Sequence, residues 1–454
     1  MAPMLRRKCI PWFLVAFPGL FTLFGADQAV VPSTDSEFSK LFPSAGFADR
    51  IEFWKMIFTR YGRDEVVVHD RKDFRLVYKV VSSPYSGTDR ASVRRRRAHL
   101  KQTVNQFAKT FDEIIALGSD SDQLDFRHHE LLAVLKLANY QPTESVLREL
   151  KENIHLQRGI KEKFREGLIR SGRYLPQLEE IFKEKGLPPE LVLLPHVESS
   201  FDYSAYSSRG AAGIWQITRG TGRRLLKIGR VVDERLHPIR AGEAAALLLK
   251  DNYEALGTWP LAVTAYNQGK NGMLRAKALH GSDLKVIIDN YQSKMFGYAG
   301  ENFYAEFLAA VEISRDPEEY FPSIQVDPPL SFQTVTVRKS TPVRTLAEKY
   351  NVSTATLKAY NPQLTPRVWR RAGAIPPGTE VHLPSGQAVT ALAENDAHET
   401  PAPKPEGPSY TRYRVRRGDS LWKIARRFQV GVDQLKELNR IGNRIYLGQL
   451  LLIP

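Results

Sequence analysis

Residues 333–384 and 410–454 carry one pattern twice, which limits the end of the chain to two copies of a small unit. The copies stand at an offset of 78. Val337, Val343, Leu346-Ala347 and Tyr350 recur as Val415, Leu421, Ile424-Ala425 and Phe428. Val352, Leu357 and Asn361 recur as Val430, Leu435 and Asn439. In the second copy Tyr413 and Val415 alternate as a short strand. Gly418-Asp419-Ser420 then turns the chain and offers side-chain oxygens to a helix start. Leu421, Ile424, Ala425 and Phe428 fall at i, i+3, i+4 and i+7, one apolar helix face. A second short helix holds Leu435 and Leu438, and residues 450–453 close as a strand, giving a βααβ order. The first copy departs in two places. Ser340-Thr341-Pro342 replaces Gly-Asp-Ser, and the stretch after Asn361 is eight residues longer. Between the copies, residues 385–409 are rich in Pro, Ala, Glu and Gly, the composition of an extended linker.

The chain has 454 residues, enough for about three domains. With 42% hydrophobic and 25% charged residues it reads as globular, not disordered, collagen-like or multi-span. A single cysteine, Cys9, excludes a disulfide scaffold and thiolate zinc clusters. The net charge of +15 points to an anionic partner. Arg6, Arg7 and Lys8 precede an apolar run over residues 10–24 and then Gly25-Ala26, the layout of a secretory signal spanning residues 1–26. The run is short of the roughly 20 residues of a membrane span. Cys9 precedes it, the wrong side for a lipoprotein signal. Bulky Phe24 keeps a retained anchor as the alternative. The expectation is export to the periplasm or cell envelope, with a soluble mature chain or a loose attachment to the membrane, such as the outer membrane. Residues 27–150 read as a mostly helical region with strand-like Val runs over 65–81. Arg94 to Arg97 reads as a solvated basic face, and no nucleic acid is expected.

From 154 to 314 helix follows helix, broken by Gly and Pro. Within it, Pro188-Pro189 suits a helix start. Counting back from Glu198 by 3, 4 and 7 gives Pro195, Leu194 and Leu191, all apolar. A helix reaching that far puts Glu198 on its buried face. Burial without a partner raises a carboxyl pKa and makes a general acid available near neutral pH. A salt-bridged structural glutamate is the other reading of the same pattern. Nine residues on come Ser207 and then Gly210-Ala-Ala-Gly213-Ile-Trp-Gln216. The glycines allow close backbone approach, and Gln216 offers a donor and an acceptor to a sugar. Ala265-Tyr266-Asn267-Gln268-Gly269 and Asn302-Phe303-Tyr304 follow.

The order and spacing of these pieces resemble the lytic transglycosylases of the SLT type, whose domain is goose-lysozyme-like. Residues 413–428, with Asn439 and the final Leu-Leu-Ile-Pro, resemble a LysM domain. The resemblance implies a multidomain, mainly α chain. A lysozyme-like all-α catalytic domain would occupy residues 151–320, with two small βααβ LysM modules after it, the first degenerate. It implies cleavage of peptidoglycan between N-acetylmuramic acid and N-acetylglucosamine, with a 1,6-anhydro end as product. Glu198 would be the single catalytic acid and then base. Ser199, Ser207, Gly213, Gln216, Tyr266, Asn267 and Tyr304 would bind substrate or position Glu198. Gly418, Asp419, Ser420, Leu421 and Asn439 would bind glycan in the last module. Glu301 stands where the family commonly has an arginine. Most glycosidases flank the bond with two carboxylates. Asp202 is the candidate for a second one, or simply a loop cap. A hydrolysing muramidase of the same fold and an inert glycan-binding scaffold are the alternatives. No H-E-x-x-H or phosphate-loop pattern occurs, and nothing in the sequence calls for a metal or a cofactor.

Overall fold

The computed structural model describes residues 36–85, 89–370, 373–385, 411–415, 419–439, 441–442, 445 and 449–453. The expected signal (1–26), nearly all of the expected linker and Gly418 lie outside the described residues. The chain divides into two compact units, residues 1–386 and 387–454. No helix among the described residues is long and apolar enough to cross a membrane.

The first unit is mainly helical. Its main core runs from Phe38 to Ile324. At its centre the Tyr298–Arg315 helix buries Phe303, Tyr304, Phe307, Ala309, Ala310 and Ile313. The Ala48–Thr59, Leu194–Glu198 and Trp259–Gln268 helices pack against it. Alanines at 241, 244, 245 and 246 let the Pro238–Leu256 helix come close to its neighbours. At Gly242 a Cβ would run into Leu178 of the Leu175–Glu184 helix.

The N-terminal segment is mixed rather than purely helical, as its valine runs imply. Glu65–Asp70 pairs antiparallel with Val77–Ser82 on one side and Ile154–Arg158 on the other. Side chains of a strand alternate between faces. Val67 accordingly joins the main core, while Val68 joins a second core with Phe111, Ile114, Leu131 and Leu147. A strand buried on both faces has no use for a polar alternation, which explains the unbroken Val66-Val67-Val68. The segment also packs into the helical region that follows it. Arg50 donates to Asn302 Oδ1 at 2.9 Å, and Tyr304 donates to the carbonyl of Pro43 at 3.0 Å.

The first repeat folds as β-α-α-β. Phe332–Thr336 pairs antiparallel with Glu380–Pro384, and the helices Val343–Lys349 and Thr354–Tyr360 lie between them. It docks on the preceding helical region through backbone. Asp233 N–H donates to the carbonyl of Gln363 at 2.8 Å, and Thr365 N–H to that of Val231 at 2.9 Å. Nε2 of His237 meets Nε2 of His382 at 2.9 Å, so one ring donates and the other accepts. Burial holds His237 down at about 3, which keeps this contact neutral.

In the second unit Thr411–Arg414 pairs antiparallel with Leu450–Ile453, around helices Leu421–Arg427 and Val432–Asn439. The repeated asparagine explains the shared fold. Asn439 Nδ2 donates to the carbonyls of Leu435 and Leu452, and its Oδ1 accepts from Leu452 N–H. Asn361 makes the same three bonds to Leu357 and His382. Each amide ties the second helix to the closing strand.

Candidate active site

A 3-10 turn over Pro189–Leu193 leads into the Leu194–Glu198 helix. Leu191, Leu194 and Pro195 are buried, so the face that carries Glu198 is the inward one. His196 sits between Phe164 and Phe201, with ring centroids at 5.2 and 4.6 Å. It is held at about 3 by burial, and so adds no charge beside Glu198. Glu198 is half-buried, and no residue among those described bonds or pairs with its carboxyl. Desolvation alone pushes its pKa up to about 8. At neutral pH it is a protonated acid within a largely apolar wall.

The chain leaves the helix under strain. Ser200 and Phe201 both take left-handed φ, 56° and 54°, as does Gln216 at 46°. Left-handed backbone is costly for side chains with a Cβ and tends to collect at working sites. Ser199 is buried and donates to the carbonyl of Ile214 at 2.9 Å. It therefore fastens the end of the Glu198 helix to the Gly-Ala-Ala-Gly-Ile-Trp loop. Gly213, at φ +78°, lies so close to the carbonyl of Arg235 that a Cβ would overlap it. Its glycine serves this approach of two backbones rather than contact with a sugar. Arg235 is itself held by Asp233 in a buried pair at 2.8 Å. Ser207 is exposed and closes its loop, its Oγ accepting from Ala211 N–H at 3.0 Å. Gln216 spends its Nε2 on the carbonyls of Gly213 and Ala205, at 2.8 and 3.3 Å. Its Oε1 is left as an acceptor.

Tyr266 lies near the end of the Trp259–Gln268 helix, half-buried, and donates to the carbonyl of Trp215 at 2.8 Å. Burial, and then the charge of Glu198, push its pKa well up, so it is close to that carboxyl and stays a phenol. Asn267 is exposed and accepts from Gln268 at 2.6 Å. Tyr304 is different. It is fully buried, packs on Phe47 at 5.3 Å and gives its hydroxyl to Pro43. Since no solvent reaches it, a substrate-binding role for Tyr304 does not fit its place; it supports the wall behind the site. Asp202 caps the loop, accepting from Ser204 N–H and Oγ at 2.9 and 2.6 Å.

The structure adds a carboxyl that the sequence reading passed over. Glu306, on the Tyr298–Arg315 helix, is raised to about 8 by burial and then by the charge of Glu198. The helix spacing flags it. Residues 302, 303, 309, 310 and 313, at −4, −3, +3, +4 and +7, are all buried.

In the last module Asp419 accepts from the Tyr413 hydroxyl at 2.7 Å. Ser420 caps the first helix through Lys423 N–H, and Leu421 belongs to the core. With its amide spent on backbone, Asn439 braces the module and has no donor left for a glycan. Trp422, 60% exposed with Arg426 over its ring at 5.2 Å, is the flat surface a sugar could stack on.

The unpaired glutamate at the end of a short helix, braced by a glycine-rich loop and an adjacent tyrosine, lies in a stretch of chain that matches a lytic transglycosylase domain. Residues 178–287 match the family described as the transglycosylase SLT domain, and residues 413–454 match the LysM domain. The chain is homologous to the membrane-bound lytic murein transglycosylase D of Escherichia coli strain K12. The two are 27% identical over 356 residues, covering 76% of this chain and 75% of that one. A putative tributyltin chloride resistance protein of an Alteromonas species is 29% identical over 168 residues, 36% of this chain and 80% of that one. The uncharacterized protein YkzQ of Bacillus subtilis is 46% identical over 46 residues, 10% of this chain and 61% of that one.

Proposed function

We propose that this chain is an exported peptidoglycan lytic transglycosylase. It cuts the β-1,4 bond between N-acetylmuramic acid and N-acetylglucosamine and leaves a 1,6-anhydro end. The observation that carries the reading is Glu198, protonated at neutral pH because it is desolvated and unpaired. Its proton goes to the glycosidic oxygen as the C1–O bond breaks. The resulting carboxylate takes the proton of the C6 hydroxyl of the muramic acid. That oxygen bonds to C1, so no water is consumed and Glu198 ends protonated.

The other carboxyls favour this internal nucleophile. Two-carboxylate glycosidases need an ionised partner across the sugar. Glu306 is held neutral near pH 7 by the same burial as Glu198. Asp202 is spent on its loop. Ser199 and Tyr266 position the acid by fixing the loop and helix beside it. We assign catalysis to residues 151–320 and tethering to the LysM modules, the last of which sits on a linker that raises the local concentration of glycan. Export rests on the pattern of residues 1–26, and the basic charge suits the anionic wall.

The test is mass spectrometry of muropeptides released from purified sacculi by the wild type and by Glu198→Gln. Anhydro ends from the wild type alone are expected. Reducing ends would overturn the transglycosylase reading in favour of a hydrolase. Tight binding without release would leave a glycan-binding scaffold.

A further inference from the structure

A cavity of about 1000 Å³ opens between the N-terminal segment and the turns ahead of the Tyr298–Arg315 helix. Neither Glu198 nor any residue placed around it lines this space. Its unusual member is Arg50, 8% exposed. Burying a guanidinium is expensive unless a carboxylate meets it. Arg50 has no carboxylate within salt-bridge distance among the described residues, and its one hydrogen bond goes to the neutral Asn302 Oδ1. The side chain is nonetheless held in place. Its guanidinium lies 4.6 Å from the centre of the Phe74 ring. Asn302 is fixed in turn by donating its Nδ2 to the carbonyl of Tyr298 at 2.8 Å. The remaining N–H groups of Arg50 meet no acceptor among the described residues, yet none is sealed from solvent, so they face the cavity.

The charges of Glu301 and Asp289 act on Arg50 from a distance, but neither carboxylate comes within salt-bridge reach of it, and each carboxylate of the lining stands nearer another cation. Glu301 faces Arg71 at 3.5 Å, Asp73 holds Arg75 at 2.7 Å, Asp49 lies 4.0 Å from the same Arg75, and Asp289 holds Lys285. Lys72 reaches outward to Glu149 at 3.2 Å. Lys294, exposed at the rim, pairs with no carboxylate among the described residues. One buried and one rim cation are thus left over. An arginine fork with two free N–H groups suits a planar carboxylate.

We propose that this cavity binds a free carboxylate of a peptide stem of peptidoglycan, with Arg50 at its floor and Lys294 at its rim. The inference rests on the peptidoglycan reading above and adds a site for the peptide to one for the sugar. The polar lining can meet peptide N–H and C=O groups, and the volume of about 1000 Å³ admits several residues.

The experiment is calorimetric titration of the full chain with a sugar-free tripeptide stem, in free-acid and fully amidated forms. Only the free acid is expected to bind. Arg50→Gln should weaken it by at least about tenfold, as the loss of a charge-assisted bidentate pair would. Because Arg50 also braces Asn302, Lys294→Glu is the second variant. Its exposed position leaves the fold intact, and it should weaken binding by about fivefold or more. Equal binding of the amidated peptide would overturn the proposal, and so would unchanged binding by Lys294→Glu. Displacement of the peptide by equimolar inorganic phosphate would also overturn it, since the cavity would then be a general oxyanion site. Anhydro ends from sacculi without peptide binding would sink this inference alone. Peptide binding without glycan cleavage would sink the functional reading and leave the cavity standing.

Discussion

Replacing Glu198 by glutamine should stabilise the folded chain at neutral pH while removing cleavage. The carboxyl has an ordinary value of 4.5 and a folded value of about 8. The folded value is the higher one, so the contribution to stability is fully present below 4.5 and is lost as pH rises through 8. At pH 7 the unfolded chain has released this proton and the folded chain still holds it. That difference is worth about 3 kcal/mol against the fold, at 1.36 kcal/mol per pK unit. Glutamine has the same shape and no proton to release, so the variant escapes the penalty. Residual water at the half-buried carboxyl trims the expected gain to about 1–3 kcal/mol. The assay is urea unfolding of both proteins at pH 4.5 and pH 7, followed by tryptophan fluorescence, with Trp215 fully buried behind the site as a reporter. Near-equal stability at pH 4.5 and a more stable variant at pH 7 are expected. A gain of the same size at both values would refute the reasoning, because it would owe nothing to the proton. A loss at pH 7 would show that the carboxyl is a structural partner after all.

Four further outcomes follow from the geometry. Cleavage of soluble glycan needs the protonated form of Glu198, so its rate should fall as pH rises through about 8, as a pH–rate profile would show. In Glu198→Gln the carboxyl of Glu306 should titrate lower than in the wild type, because the charge opposing its ionisation is gone; carbon NMR of the carboxyl reads this directly. Gly213→Ala forces a Cβ against the carbonyl of Arg235 at φ +78°, and should cost about 2 kcal/mol or more in unfolding experiments. Asn439→Ala leaves the carbonyl and N–H of Leu452 without their partner, and should destabilise the last module by about 2 kcal/mol, visible as a lower melting midpoint of residues 410–454 within the full chain.

What could be read in advance was local. Glu198 was legible because Pro195 and Leu194 stand on its own helix and Leu191 in the 3-10 turn that leads into it, so the inward face is written in consecutive sequence. The repeats were legible for the same reason: Leu357 and Asn361, or Leu435 and Asn439, lie one turn apart. Glu306 obeys the same rule and lies in the stretch that drew attention to Tyr304, two residues earlier, yet it carries no role in the sequence pattern. The choice between those two was decided at long range. Tyr304 turns its hydroxyl to Pro43, 261 residues away, and Asn302 takes Arg50 across 252 residues. Neither partner leaves a periodic trace. The role of residues 27–150 was hidden by the same kind of contact. Their helix at Ala48–Thr59 packs on the helix that carries Glu306, which in turn packs on the short helix of Glu198. The helix beside Glu198 is thus backed by residues 150 positions upstream as well as by its neighbours in sequence. Cutting the chain at residue 150 would therefore be expected to remove that backing, not merely to trim an appendage.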